Sequence, residues 1–206
     1  SAGVAPGELI QIAGQKLGPA TKVMAQLDSS NRLPFSVAGT AVTFDGIAAP
    51  LISVQDGAIV CFVPFAVSAA TEVTVKSSAG QSNAVRVPVS PAQPEILAIA
   101  NQDGTPNSAN NPAAQGSVIT VYVSGLGQTN PPGVDGQVNA APAAVPLAPV
   151  TVYVAGMPAM PQYVAAAVGL VAGISQVNVQ VPSGKYPPTN SVSVNQAFAP
   201  LYIAAQ

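Results

Sequence analysis

The stretch Gly116-Ser-Val-Ile-Thr-Val-Tyr-Val-Ser-Gly-Leu-Gly127 repeats, without a gap, the pattern of Gly7-Glu-Leu-Ile-Gln-Ile-Ala-Gly-Gln-Lys-Leu-Gly18. In both, apolar residues (Ile10 and Ile12; Ile119, Val121 and Val123) alternate with other side chains. Alternation of this kind gives a β-strand one buried and one outward face. Three more blocks recur in the same order. Val42-Thr-Phe-Asp-Gly46 matches Val152-Tyr-Val-Ala-Gly156. Ile59, Cys61, Val63 and Pro64 match Val177, Val179, Val181 and Pro182, and Val73 and Val75 match Val192 and Val194. The offset drifts from 109 to 119 along the chain, as loop insertions would cause. Collinear blocks of this kind mean two copies of one unit, expected over residues 1–92 and 93–206.

Within each copy the strand signal is period two. Gln176-Val-Asn-Val-Gln-Val181 sets apolar residues against amides, and Glu72–Lys76 and Ser191–Asn195 alternate in the same way. Gly, Pro, Asn and Asp cluster between the runs, where turns need them, and no window carries a sustained helical stripe. Expected strands are 8–13, 41–46, 50–54, 58–64, 72–77 and 84–90 in the first copy. In the second they are 117–124, 150–155, 159–164, 176–181, 191–195 and 200–204. Glu95–Ala100 opens the second copy. Short strands at this spacing predict an all-β fold built of sandwiches. The Ala-rich run Tyr163–Ile174 lacks alternation and reads equally as a buried strand, a wide loop or a helical turn.

Composition excludes several functions. Only 14 of 206 residues are charged, 7 % of the chain, against about 25 % in an ordinary soluble domain. Beyond Gly104 the only charges are Asp135 and Lys185. The chain has no His, so His-assisted nucleophiles and His-containing zinc sites are absent. Six scattered cations and a net charge of −2 give no basic patch for nucleic acid. High hydrophobicity argues against disorder. Prolines interrupt the long uncharged stretch, so no membrane span is expected. Cys61 shares a face with Ile59 and Val63 and reads as a small buried hydrophobe.

Glycosidase chemistry needs two facing carboxylates. Asp45, Asp56, Asp103 and Asp135 each precede Gly, however, and read as turn residues. Asn101–Asn111 is rich in oxygen ligands but holds only Asp103 as a charged one, too little for an ordinary calcium site. No catalytic residue, cofactor or metal is expected, and the chain reads as a non-enzyme. Tyr122, Tyr153, Tyr163, Tyr186 and Tyr202 could stack on sugars. Tyr186, in Lys185-Tyr-Pro-Pro188, is the one expected to stand exposed.

Val4–Gly14 with Leu17-Gly18 resembles the opening of an IPT/TIG-type immunoglobulin-like domain. Asn111–Gly127 and Gln176–Pro182 resemble the uncharacterised C-terminal domain family of secreted Solibacter and other acidobacterial proteins. The resemblance covers nearly the whole chain. It implies two tandem immunoglobulin-like sandwiches in an extracellular, multi-domain setting, and it supplies no catalytic residue. Two positions depart from the family pattern. Ser175 stands where the family tends to have an aromatic. In Ala58-Ile-Val-Cys-Phe-Val-Pro64, Val60 and Phe62 stand where the family has outward amides.

A strand apolar on both faces is either covered on both or lies in an interface, so Val60 and Phe62 are the candidate interface residues. The expected function is a non-catalytic extracellular structural or interaction module: a stalk, a surface-layer or fibre subunit, or an adhesive unit. Its expected partners are neighbouring domains or copies of itself, met through low-charge apolar surfaces. The alternative is a carbohydrate-binding module with a glycan partner.

Overall fold

The computed structural model describes residues 3–187 and 190–204; Pro188, the last residue of the Tyr186 segment, lies outside them. The fold is all-β, with no helix among the described residues.

The first unit contains β1 (Leu9–Ala13), β2 (Val23–Met24), β3 (Ala41–Phe44), β4 (Ile47–Ala48), β5 (Leu51–Gln55), β6 (Ala58–Phe62), β7 (Ala70–Ser77), β8 (Gly80–Gln81) and β9 (Val85–Pro88). One sheet runs β1-β6-β5-β2; the other runs β4-β3-β7-β8, with β9 also on β7. The inward residues of both sheets, among them Val42, Phe44, Leu51, Val54, Ile59 and Cys61, are fully buried in one core. The Asp45-Gly46 turn joins β3 to β4 with both residues at positive φ (48° and 81°), the geometry of a type I′ hairpin.

The second unit contains β10 (Glu95–Ala100), β11 (Val118–Ser124), β12 (Thr129–Asn130), β13 (Val145–Pro146), β14 (Val152–Val154), β15 (Met157–Ala159), β16 (Pro161–Ala166), β17 (Ile174–Gln180), β18 (Asn190–Val194) and β19 (Ala197–Leu201). One sheet runs β10-β11-β17-β16 and faces another running β15-β14-β18-β19. Ile119, Val121, Val177, Val179, Val192, Val194 and Leu201 make its core. Valine dominates because β-branched side chains suit a pleated, half-buried surface.

Two strand expectations need correction. The run expected at 159–164 is two strands in different sheets: β15 pairs with β14 and β16 with β17. They part at Met160, which is 89 % exposed. The last strand is Ala197–Leu201 rather than 200–204. Asn195 turns the chain at φ 53°, so β19 pairs with β18 from Val194↔Ala197 onward. The open stretch 163–174 resolves as the end of β16 followed by turns into β17, with a hydrogen bond from the Leu170 N–H to the Ala167 carbonyl.

Loops of the second unit close over the first. The Asp135 carboxylate accepts the Phe65 N–H at 2.8 Å, and Arg32 Nε donates to the Asp135 carbonyl at 2.8 Å. Gln128 donates to the Phe65 carbonyl. Gln93 Nε2 bridges the Gly3 carbonyl and the Glu8 carboxylate.

Candidate functional site: an uncharged tyrosine and amide face

The outward side of β10-β11-β17-β16 is built by register. β11 points Ile119, Val121 and Val123 inward and β17 points Val177 and Val179 inward, which leaves Thr120, Tyr122, Gln176 and Asn178 on the other face. Strand pairing aligns them in two rows: Ala98–Tyr122–Gln176–Ala165 and Ala100–Thr120–Asn178–Tyr163. Two tyrosines on strands either side of β17 therefore flank the amides of β17. Tyr163 is 40 % exposed, whereas Tyr122 is half-buried. Neither row contains a charged residue.

Local hydrogen bonds fix these amides. Thr120 Oγ1 donates to Asn178 Oδ1 at 3.1 Å, and Gln176 Nε2 donates to the same oxygen at 2.9 Å. Within the described residues this leaves the Asn178 Nδ2 donors and the Gln176 Oε1 acceptor unengaged. The face thus offers ring surface, a donor and an acceptor on a flat sheet.

The residues singled out from sequence lie elsewhere. Phe62 is 2 % exposed, so it is not an outward interface patch. It lies against Gly173, where a side chain would strike both its ring and the Gly7 carbonyl. The second unit's own loop thus covers the outer face at this end of β6. Val60, half-buried, sits in the same strand between Gln11 of β1 and Ser53 of β5.

Tyr186 is not the exposed aromatic that was expected. It packs against the second core, its hydroxyl is buried with no hydrogen-bond partner among the described residues, and its ring lies over Gly184. The exposed rings are instead Tyr163, Tyr153 and Phe198. The last two flank Ser193 on the outer side of the other sheet.

The carboxylates are dispersed. Asp103 accepts the Thr105 hydroxyl at 2.6 Å and its N–H at 3.0 Å, which hold its pKa below the usual carboxylate range. The Glu72 N–H does the same for Asp45. Burial pushes Asp135 up. No group of three or more His, Cys, Asp or Glu side chains is gathered among the described residues.

The amides of 101–111 staple their own loop. Asn101 donates to the Asn111 carbonyl at 2.9 Å, and Asn107 donates to Asn101 Oδ1 and to the Tyr202 carbonyl. Cys61 is fully buried, and its thiol is pushed up to about 12 by desolvation, so it does not act as a nucleophile.

No protein-family model matches the chain, and no curated protein sequence does. Solved structures do. SGBP-B of the Bacteroides ovatus mixed-linkage glucan utilization locus, in complex with a mixed-linkage heptasaccharide, matches at 12 % identity and TM-score 0.36, over 98 % of this chain and 43 % of that one. SGBP-B from a complex xyloglucan utilization locus of Bacteroides uniformis matches at 12 % and 0.31, over 98 % and 46 %. The surface glycan-binding protein PbSGBP-B of Prevotella bryantii matches at 11 % and 0.27, over 96 % and 36 %. The chain spans less than half the length of each of these structures. No helix long and apolar enough to cross a membrane occurs among the described residues.

Proposed function

We propose that this chain is a non-catalytic extracellular interaction module that holds neutral glycans on the outer face of β10-β11-β17-β16. The observation that carries the reading is the pairing of Tyr122 and Tyr163 with the fixed amides of Gln176 and Asn178 in two rows free of charge. Pyranose rings present a C–H face that suits aromatic surface, and hydroxyls that suit amide donors and acceptors. An uncharged face favours a neutral sugar over a uronic or sulfated one.

Calorimetric titration with a panel of neutral oligosaccharides tests the proposal. At least one should bind, with at least tenfold weaker affinity for Tyr163→Ala and for Asn178→Ala and unchanged affinity for Tyr186→Ala. Binding indifferent to both substitutions, or no binding across the panel, overturns it.

A second, compatible role as a stalk, surface-layer or fibre element draws on the hydrogen bonds that tie the two units together through Asp135, Arg32, Gln128 and Gln93. Small-angle scattering should then fit one fixed arrangement of the units. A broad distribution of inter-unit distances would exclude that role.

A further inference from the structure

The sheet β15-β14-β18-β19 carries rings on its outer side. Val152, Val154, Val192, Val194 and Leu201 point into the core, so alternation turns Tyr153, Ser191, Ser193 and Phe198 outward. Strand pairing sets Pro158, Tyr153, Ser193 and Phe198 in one row across the four strands. Phe198 is 73 % exposed and Tyr153 44 %, whereas Ser193 between them is buried and floors the gap. None of the four strands carries a charged residue.

The fold does not require these rings. The repeat sets Thr43 where Tyr153 stands and Thr74 where Ser193 stands, and each pair is directly opposed in its own sheet. In the first unit the two threonine hydroxyls bond each other at 2.8 Å, so the pair closes on itself. In the second, no described residue engages the hydroxyl of Tyr153 or of Ser191, two residues along β18 from Ser193. Large apolar side chains this exposed, rimmed by polar groups, mark a binding surface.

The construction repeats that of the opposite face. There Tyr122 and Tyr163 stand on the strands either side of β17, whose outward residues are amides. Here Tyr153 and Phe198 stand on the strands either side of β18, whose outward residues are serines. Two strand spacings separate the rings, about 10 Å. A single sugar covers one of them, whereas an oligosaccharide laid across the strands covers both. The two sheets share one core, so their outer faces look away from each other and one short saccharide cannot lie on both.

We propose that the row Tyr153–Ser193–Phe198 is a second glycan site, and that its occupant is a neutral oligosaccharide laid across β14, β18 and β19. Sugar rings stack their C–H faces on Tyr153 and Phe198, and sugar hydroxyls exchange hydrogen bonds with the Tyr153 and Ser191 hydroxyls at the rim. The uncharged sheet favours a neutral sugar over a uronic or sulfated one. Two opposed sites make a single copy of the chain a bridge between two polysaccharide chains. The bridging rests on the glycan reading of the first face, whereas the second site stands on its own residues.

The test titrates the full chain with neutral gluco-, xylo- and manno-oligosaccharides from disaccharide to octasaccharide. Binding that survives in Tyr163→Ala should occupy one site per chain and strengthen with saccharide length. Adding Phe198→Ala or Tyr153→Ala should weaken it at least tenfold, and Phe198→Tyr, which keeps a ring, should retain it. With soluble β-glucan and galactomannan, the natural chain should raise light scattering by bridging, and Tyr163→Ala and Phe198→Ala should each bind without raising it. Binding that Tyr163→Ala abolishes leaves the first face standing and overturns the second site, as does surviving binding indifferent to Tyr153→Ala and Phe198→Ala. Binding lost only through Tyr153 and Phe198 keeps the second site and overturns the first. No binding across the panel overturns both, and two sites without a rise in scattering overturn the bridging. Self-association of the chain that Phe198→Ala abolishes would assign the row to a second copy and overturn the ligand named here.

Discussion

Asp135 Oδ1 accepts the Phe65 backbone N–H at 2.8 Å, across the boundary between the two repeats. The same residue's carbonyl accepts Arg32 Nε, and that guanidinium lies 4.8 Å from the centre of the Phe35 ring. One turn of the second unit therefore grips two separate loops of the first. Asp135 reads as an ordinary turn former beside Gly136. Its role as a clasp depends on where the turn lands, which no local pattern encodes.

Asp135→Ala should accordingly destabilise the contact between the units. A partly buried N–H left without its acceptor costs about 1–3 kcal/mol. Chemical denaturation monitored separately in each unit should show the two transitions separating, whereas the unaltered chain unfolds more cooperatively. Asp135→Asn retains an acceptor oxygen and should recover most of the loss.

The junction should also weaken as pH rises. Glu8 is 7 % exposed, and burial pushes its carboxyl up to about 7, against the hydrogen bonds from Ala5 and Gln93 that favour the ionised form. A carboxyl with a folded pKa above its unfolded value keeps its proton longer in the fold, so its contribution is greatest at low pH. That contribution falls away as pH rises from the ordinary range near 4.5 through about 7. Asp135 shifts in the same direction. Asp45 and Asp103 shift the other way, and their contributions are lost on acidification below the usual carboxylate range. Melting temperatures at pH 5 and pH 8 should differ for the natural chain, and the gap should shrink in Glu8→Gln, which keeps an acceptor for the Ala5 N–H.

Much of the fold is legible in alternation. Gln176–Val181 announces both its inward valines and its outward amides, and β17 presents them that way. The strands β1, β7, β11 and β18 follow from the same period. What alternation cannot carry is which face a distant loop covers. Val60 and Phe62 look alike in sequence, yet the loop around Gly173 covers the second. Tyr186 sits among Lys and Pro and reads as exposed, but its ring folds onto the core. Tyr122 and Tyr163 become neighbours of the same two amides only through the pairing of β11 and β16 with β17. The amides on that face were readable, but the second ring beside them was not.

Gly173 should be intolerant of any side chain. It has φ 107°, and a Cβ there would meet the Gly7 carbonyl and the Phe62 ring. Gly173→Ala combines backbone strain with overpacking, which typically costs about 1–3 kcal/mol. Gly57→Ala meets nothing within 4 Å and should be nearly neutral. Equilibrium unfolding of the two variants in parallel checks the contrast.

Phe62 and Val60 should separate in the same way. Phe62 is buried against Gly173 of the second unit, so Phe62→Ala should leave a cavity and cost about 3–5 kcal/mol, while the protein's association state stays unchanged. Val60 lies on the same side of β6 but only half-buried. Val60→Gln places an outward amide at the centre of the sheet, beside Gln11 and Ser53, and should shift stability by no more than about 0.5 kcal/mol. Denaturation with light scattering on the same samples reads both quantities. A Phe62→Ala protein that keeps its stability but loses self-association would return that side chain to an outer interface, and with it the arrangement in which the loop around Gly173 covers β6.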